Sequence, residues 1–189
     1  TEEATDFLSL LMVIVLCAVP VVVVSLLIYA GTVIIMQRRR RPYQFFLCHH
    51  KLGAGCFARL LKICLLRAGV KRKVFIDSDD LQDLDTLFDI VAHKTESLLA
   101  ICSTALLTRP WCVGEISTAH LSRLKLVSLH FPGYECPDAE FIENLMDHVP
   151  DLKCLAGFNI DIAIMQPALR WMANSGVVKL PEELADNSV

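Results

Sequence analysis

The chain has 189 residues, is 54% hydrophobic and 21% charged, and carries a formal net charge of −3. A mean hydropathy of +0.48 is too apolar for an ordinary soluble domain. The acidic balance, without interleaved aromatic and basic residues, excludes nucleic acid as a partner.

The apolar excess is concentrated at one end. From Phe7 to Gln37 no residue is charged. At ~1.5 Å per residue such a helix is longer than a ~30 Å hydrocarbon core and spans it with tilt or overhang. Pro20 is expected to kink it, which a lipid-embedded helix tolerates when the freed carbonyl finds a partner. A cleaved signal peptide is the competing reading, and it wants a basic leader and a shorter apolar core. Here Glu2, Glu3 and Asp6 lead, and Arg38–Arg41 follow. That order is a stop-transfer pattern. It places the N-terminus outside and everything after Arg41 in the cytosol. The expected division is an extracytosolic stub over 1–6 and a single transmembrane helix over 7–37. A basic linker over 38–42, a cytosolic domain over 43–178 and a tail over 179–189 complete it. The lipid bilayer is therefore the first expected partner. The chain opens on Thr1, which implies a longer or processed protein. Beyond Arg41 there are 14 basic and 18 acidic residues. The eight cysteines form no Cys-x-x-Cys pair and read as small buried hydrophobes of a cytosolic domain.

In chain order, Tyr43 to Cys48 is an aromatic, apolar strand. Gly53 and Gly55 read as a loop, and Cys56 to Ala68 as a helix with Phe57, Leu60, Leu61, Cys64 and Leu65 inward, stopped by Gly69. Val74 to Ile76 is a second strand, closed by Asp77-Ser78-Asp79-Asp80. A helix over 85–93 turns Leu87, Phe88 and Val91 inward. Leu98 to Cys102 is short and wholly apolar, as suits a strand buried on both faces. Ser103, Thr104 and Thr108 bring the chain out, and Pro110 opens a helix running from Trp111 to Lys125. Leu126 to Leu129 is a fourth strand, ended by Pro132 and Gly133. Phe141 to Val149 reads as an amphipathic helix, Lys153 to Ile164 has no clear period, and Pro167 to Ser175 reads as a last helix. Strands alternating with helices through short loops imply a parallel sheet covered on both faces, a flavodoxin-like α/β domain.

Several site patterns are weighed against plainer readings. An EF-hand from Asp77 would need glycine at its sixth position and glutamate at its twelfth, where Gln82 and Phe88 stand. A strand-end Asp77-x-Asp79 pair with magnesium lacks its further ligands, so a solvated acidic loop is the plainer account. Cys48, His49, His50 and Cys56 lack the second ligand pair of a zinc site, and no metal is expected. No phosphate-loop or dinucleotide fingerprint is present. Glu115 follows Trp111 by one turn, just past a buried strand, where open parallel sheets place ligands. Its plainer reading is a first-turn carboxylate favoured by the helix dipole.

Phe46-Leu47-Cys48-His49, Val74-Phe75-Ile76-Asp77, Leu98 to Ser103, and Arg109-Pro110-Trp111-Cys112-Val113-Gly114-Glu115 together resemble the successive boxes of a TIR (Toll/interleukin-1 receptor) domain. The likeness runs by motif over roughly Tyr43 to Pro132 and by length and pattern to about Ser175. The first box has Cys48 where the family usually has serine. The loop from Asp79 to Asp85 lacks the usual glycine or proline. The resemblance implies a five-stranded parallel sheet and association with other TIR domains. In members that cleave NAD⁺, it implies Glu115 as the catalytic residue, stabilising an oxocarbenium-like charge on the nicotinamide ribose. Trp111, His49, His50, Lys51 and Asp79 would then bind substrate. NAD⁺ would be a substrate, with no resident cofactor. Other members are non-catalytic scaffolds, the alternative reading for this chain.

Overall fold

The computed structural model describes residues 2–39, 41–81 and 83–181. They fall into two units that divide between Arg40 and Arg41. The first is one helix, α1 (Glu2–Arg39), which runs through Pro20 without interruption. Its segment Ile14–Met36 has a mean hydropathy of 2.6 over 23 residues. By length and composition it is able to cross a membrane, a test that a signal sequence near an N-terminus also passes.

In the second unit the strand residues follow the apolar runs of the sequence. They are β1 (Tyr43–His49), β2 (Lys73–Ile76), β3 (Thr95–Cys102), β4 (Lys125–His130) and β5 (Val177–Lys179). All pair in parallel, in the order β2-β1-β3-β4-β5. Side chains alternate across the sheet. Phe46, Cys48, Phe75, Leu98, Ala100 and Cys102 enter one core. Leu47, Val74, Ile76, Leu99, Ile101 and Leu129 enter the other. The second core is covered by α2 (Lys51–Arg67) through Ala54, Ala58, Phe57, Leu61 and Leu65. The first is covered by α4 (Leu87–Asp89), α5 (Pro110–Leu121) and α8 (Ile162–Ala173) with their neighbouring turns. The expected five-stranded parallel α/β sandwich is the fold found.

Local differences from the sequence reading have identifiable causes. Gly53 and Gly55 are not a loop but the first turns of α2. His50 is its cap, with Nδ1 accepting from the Gly53 amide at 3.2 Å. Leu60 and Cys64 consequently lie outside, because the inner face is set by the small residues Ala54 and Ala58. Between β2 and β3 the expected single helix is split. The short α3 (Asp77–Asp80) and a 3₁₀ turn, Leu84–Thr86, precede α4, and a π-type turn spans Ile90–Lys94. Thr95 Oγ1 donates to the Ile90 carbonyl at 2.9 Å, the acceptor a regular α-turn would use. Leu87, Phe88 and Val91 are nonetheless buried as expected.

Helix α5 stops at Leu121, not Lys125, because the chain reverses through Arg123 (φ 53°) into β4. Its second turn carries Glu115, not its first, so the helix dipole does not account for that residue. The helix expected over 141–149 breaks at Asn144 into α6 (Ala139–Glu143) and α7 (Leu145–His148). Gln166 Nε2 donates to the Ile142 carbonyl at 3.1 Å, taking the acceptor a continuous helix would offer to Met146. The region without a clear period holds a 3₁₀ segment, Leu152–Phe158, bounded by left-handed Asp151 and Asn159. Helix α8 starts five residues before Pro167, capped by the Asp161 carboxylate on the Ile164 amide at 3.1 Å. Strand β5 is three exposed residues covering the β4 edge, too short and too solvated to leave a pattern.

Gly114 is where α5 meets α4 most closely. A Cβ there would lie 2.6 Å from Phe88 Cζ and 3.0 Å from Leu155 Cδ2. Alanine in mid-helix normally gains up to about 1 kcal/mol over glycine. Overpacking against a buried ring costs about 1–3 kcal/mol. Gly114→Ala is therefore expected to lower stability by about 1–2 kcal/mol, read as an earlier denaturation midpoint at unchanged slope.

Candidate functional site

In the order β2-β1-β3-β4-β5 the connections part between β1 and β3. Helix α2 leaves β1 on one face of the sheet, and α5 leaves β3 on the other. The crevice beyond the carboxyl ends of these two strands is the topological switch point, where α/β sheets bind ligands. The side chains meeting there are His49 at the end of β1, Lys51 in the first turn of α2, Asp77 after β2, Ser103 after β3, and Arg109 and Glu115 around the start of α5.

Asp77 is the hub. Its carboxylate lies 3.3 Å from Lys51 Nζ, 3.9 Å from Arg109 Nη2 and 3.7 Å from His49 Nδ1. It is 7% exposed, and Oδ1 has no hydrogen-bond partner. His49 is 2% exposed, and its Nδ1 lies 3.1 Å from the Leu47 carbonyl. Burial, the largest influence, pushes its pKa down, so the ring is neutral. A neutral ring donating from Nδ1 leaves Nε2 as a bare acceptor, and that atom is buried without a partner. Ser103 Oγ is a third buried orphan, beside the first turn of α2. Buried polar atoms without a protein partner are costly, and three of them lie at this end of the sheet. They are what a polar ligand would satisfy.

Glu115 lies behind this group, 3% exposed. Burial first, and the Asp77 charge second, raise its pKa from 4.5 to about 8. The Cys48 thiol and the cations Arg109 and Lys51 oppose the rise without cancelling it. Cys48, Cys112 and Glu115 bring their donor atoms within 4.8 Å of one another. Two thiols and a carboxylate are a donor set that zinc accepts, one short of a closed structural site. In this structure the Cys112 thiol donates to the His49 carbonyl at 3.4 Å, and burial raises the Cys48 pKa. Sequence spacing did not single out this group of three. Cys56 is exposed on α2, and His50 is turned to capping, so the Cys48–His49–His50–Cys56 grouping is not assembled.

Of the residues singled out from sequence, His49, Lys51 and Glu115 are gathered around Asp77. His50 stands beside them as the α2 cap. Trp111 is half-buried in an aromatic cluster, 5.7 Å from Phe88 and 5.6 Å from Phe158 between ring centroids. Asp79 is on the outer side of the domain, held by Arg59 Nε and Nη2 at 2.9 and 2.8 Å. Arg109 and Ser103 were not proposed from sequence. An arginine before Pro110 and a serine after a strand have no local signature; only the approach of Arg109 to Asp77, and of Ser103 to the first turn of α2, makes them site residues.

The strand order and the helices on both faces define the class, a flavodoxin-like α/β fold of the TIR type. No family model and no curated protein matches the chain. Among solved structures it is similar to the TIR domains of the activated Roq1 resistosome directly recognizing the pathogen effector XopQ. The match has 16% identity, spans 77% of this chain and 89% of that one, and has a TM-score of 0.51. At that identity the likeness is one of fold.

The raised pKa of Glu115 has a stability consequence. The folded state holds the proton to about pH 8, whereas an unfolded glutamate releases it near 4.5. The stabilisation linked to that proton is full below pH 4.5 and is lost as pH rises to about 8. Glu115→Gln removes this dependence. Its melting temperature relative to the parent is therefore expected to climb between pH 5 and pH 8, and a parallel pair of curves would contradict the assignment.

Proposed function

We propose that this chain is a membrane-anchored signalling protein whose TIR-like domain cleaves the nicotinamide–ribose bond of NAD⁺ when copies associate. The observation that carries the reading is the buried carboxyl of Glu115 behind three orphaned polar atoms at the switch point. Lys51 and Arg109 beside Asp77 supply positive charge suited to a pyrophosphate. His49 Nε2, Ser103 Oγ and Asp77 Oδ1 supply acceptors and a donor suited to ribose hydroxyls.

In this reading Glu115 acts as its carboxylate. The nicotinamide of NAD⁺ is cationic and leaves as a neutral molecule, so no general acid is required. As the bond breaks, positive charge passes to the ribose, and an ionised Glu115 in a low-dielectric site stabilises it. The arriving cationic ring favours loss of the Glu115 proton. A water molecule then completes hydrolysis. Glu115 is closed off from solvent in the isolated chain, so the site must open for substrate. Association of domains is the step assigned to that opening, as the resistosome neighbour's assembled state suggests. The N-terminal helix would hold copies at a bilayer, with the domain on the cytosolic side.

The same burial favours a second reading, a non-catalytic scaffold that recruits other TIR domains, with Glu115 serving only the core. Nicotinamide release from NAD⁺ by the full chain in liposomes, at low and high protein density, separates the two. The enzyme reading expects release that grows with density and falls at least a hundredfold in Glu115→Ala. Absence of release at every density selects the scaffold.

A pH profile tests the role of the carboxylate. With Glu115 required in ionised form, log kcat/KM is expected to rise with unit slope up to about pH 8 and then level off. A flat profile from pH 6 to 9 would remove Glu115 from that role.

A further inference from the structure

The outer face of α2 carries large apolar side chains that nothing among the described residues covers. Leu52 is 95% exposed, Leu60 57%, Ile63 47% and Leu66 47%. They share the side of the helix opposite Ala54 and Ala58, forming one ridge along its length. Isolated exposed leucines need no explanation, but an aligned set on one helix marks a contact surface.

Charge identifies what the ridge meets. Between Lys51 and Ile76 the chain has seven basic residues and no acidic one. The rest of the sequence after Arg41 has seven basic and 18 acidic residues. Arg59, Lys62 and Arg72 are paired internally with Asp79, Asp80 and Glu96. Arg67, Lys71 and Lys73 are exposed and form no ion pair among the described residues. The ridge therefore lies in a basic rim.

The complementary surface is on the opposite side of the sheet. Between α7, the 3₁₀ segment and α8 there is a groove of about 370 Å³, lined by Met146, Leu152, Ala156, Ile160, Ile162 and Met165. Asp161 and Lys153 also line it. Asp147 and Asp151 are exposed next to the lining residues Met146 and Leu152, so with Asp161 its rim is acidic. An apolar ridge in a basic rim and an apolar groove in an acidic rim match each other. Their places on opposite faces keep one copy from joining its own two surfaces.

We propose that copies of this chain associate head to tail, the α2 ridge of one seated in the α7–α8 groove of the next. The proposal rests on the reading that copies associate and names the surfaces that do so. A ridge-to-ridge contact would set Arg67 and Lys71 of two copies against each other, and like charges oppose it. A ridge-to-groove contact is heterologous, so each added copy leaves one ridge and one groove open, and assembly continues unless its rotation closes a ring. Helix α2 also carries Lys51 and abuts Ser103, so the helix gripped in the assembly is one that borders the crevice.

The test uses the detergent-solubilised full chain and two surface variants, Ile63→Glu on the ridge and Met146→Lys in the groove, each placing a like charge against its partner surface. Mass photometry over a concentration series is expected to show extended species for the parent and at least tenfold weaker association for each variant alone. Mixing the two variants is expected to restore association, since the intact ridge of one meets the intact groove of the other. Unchanged melting temperatures exclude a folding defect, both sites being exposed. Native cysteines give a second readout. Cys56 lies on the outer side of α2 and Cys154 on the 3₁₀ segment beside the groove, both exposed. A bifunctional maleimide is expected to join Cys56 of one copy to Cys154 of another. A parent that associates while both variants behave like it, or cross-links only between two Cys56 residues, overturns these surfaces and leaves association standing. A parent that remains monomeric at every concentration overturns both.

Discussion

The structure depends on the burial of β3 from both sides. Leu98 to Cys102 presents apolar side chains to two cores, and β1 and β4 satisfy its backbone on either edge. A parallel strand in that position cannot be reached by a tight turn, so the chain must cross over by helices. Those helices are what cover the two faces. Because α2 goes to one face and α5 to the other, the strand order parts beside β3 and opens the crevice. The site is thus a by-product of how the central strand is covered.

Inside that crevice, electrostatics and packing pull in different directions. Asp77 is paired with Lys51 and Arg109. Glu115, one layer deeper, is driven toward the neutral acid by burial, with Arg109 and Lys51 opposing only in part. The two carboxyls thus sit in different environments, Asp77 against cations and Glu115 against apolar packing that raises its pKa. The packing around Gly114, Phe88 and Trp111 holds the second turn of α5 against the sheet and so fixes the depth of Glu115.

The two outer layers differ as much as the two carboxyls. Helix α2 covers its core with alanines on the inner side, which leaves its leucines and isoleucine outside. The α7–α8 layer buries Leu145, Leu152, Met165 and Leu169, leaves Met146 and Ile162 part of an apolar groove, and exposes carboxylates around it. The domain is therefore polarised, with an apolar, basic-rimmed ridge on one face and an apolar, acidic-rimmed groove on the other.

Much of this was legible from the residues. Unbroken apolar runs marked β1 to β4, Pro110 marked the start of α5, and Gly69 the end of α2, because each acts through its own backbone or its immediate neighbours. The alternation of elements set the parallel α/β class for the same reason. Glu115 stood out by its place after a buried strand and by the Trp111–Glu115 spacing. What sequence could not show was decided by contacts between distant segments. The α2 start depended on a histidine cap, the break at Asn144 on Gln166 from α8, and the exposure of Leu60 on which side two alanines faced. Strand β5 forms because the β4 edge is there to pair with. Arg109 joined Asp77 only through the approach of the α5 start to the end of β2, and Ser103 joined the site only through its contact with the start of α2. Local propensity writes the elements into the chain, whereas the pairing of groups far apart in sequence, and the burial that sets their charge, exists only once the sheet is assembled.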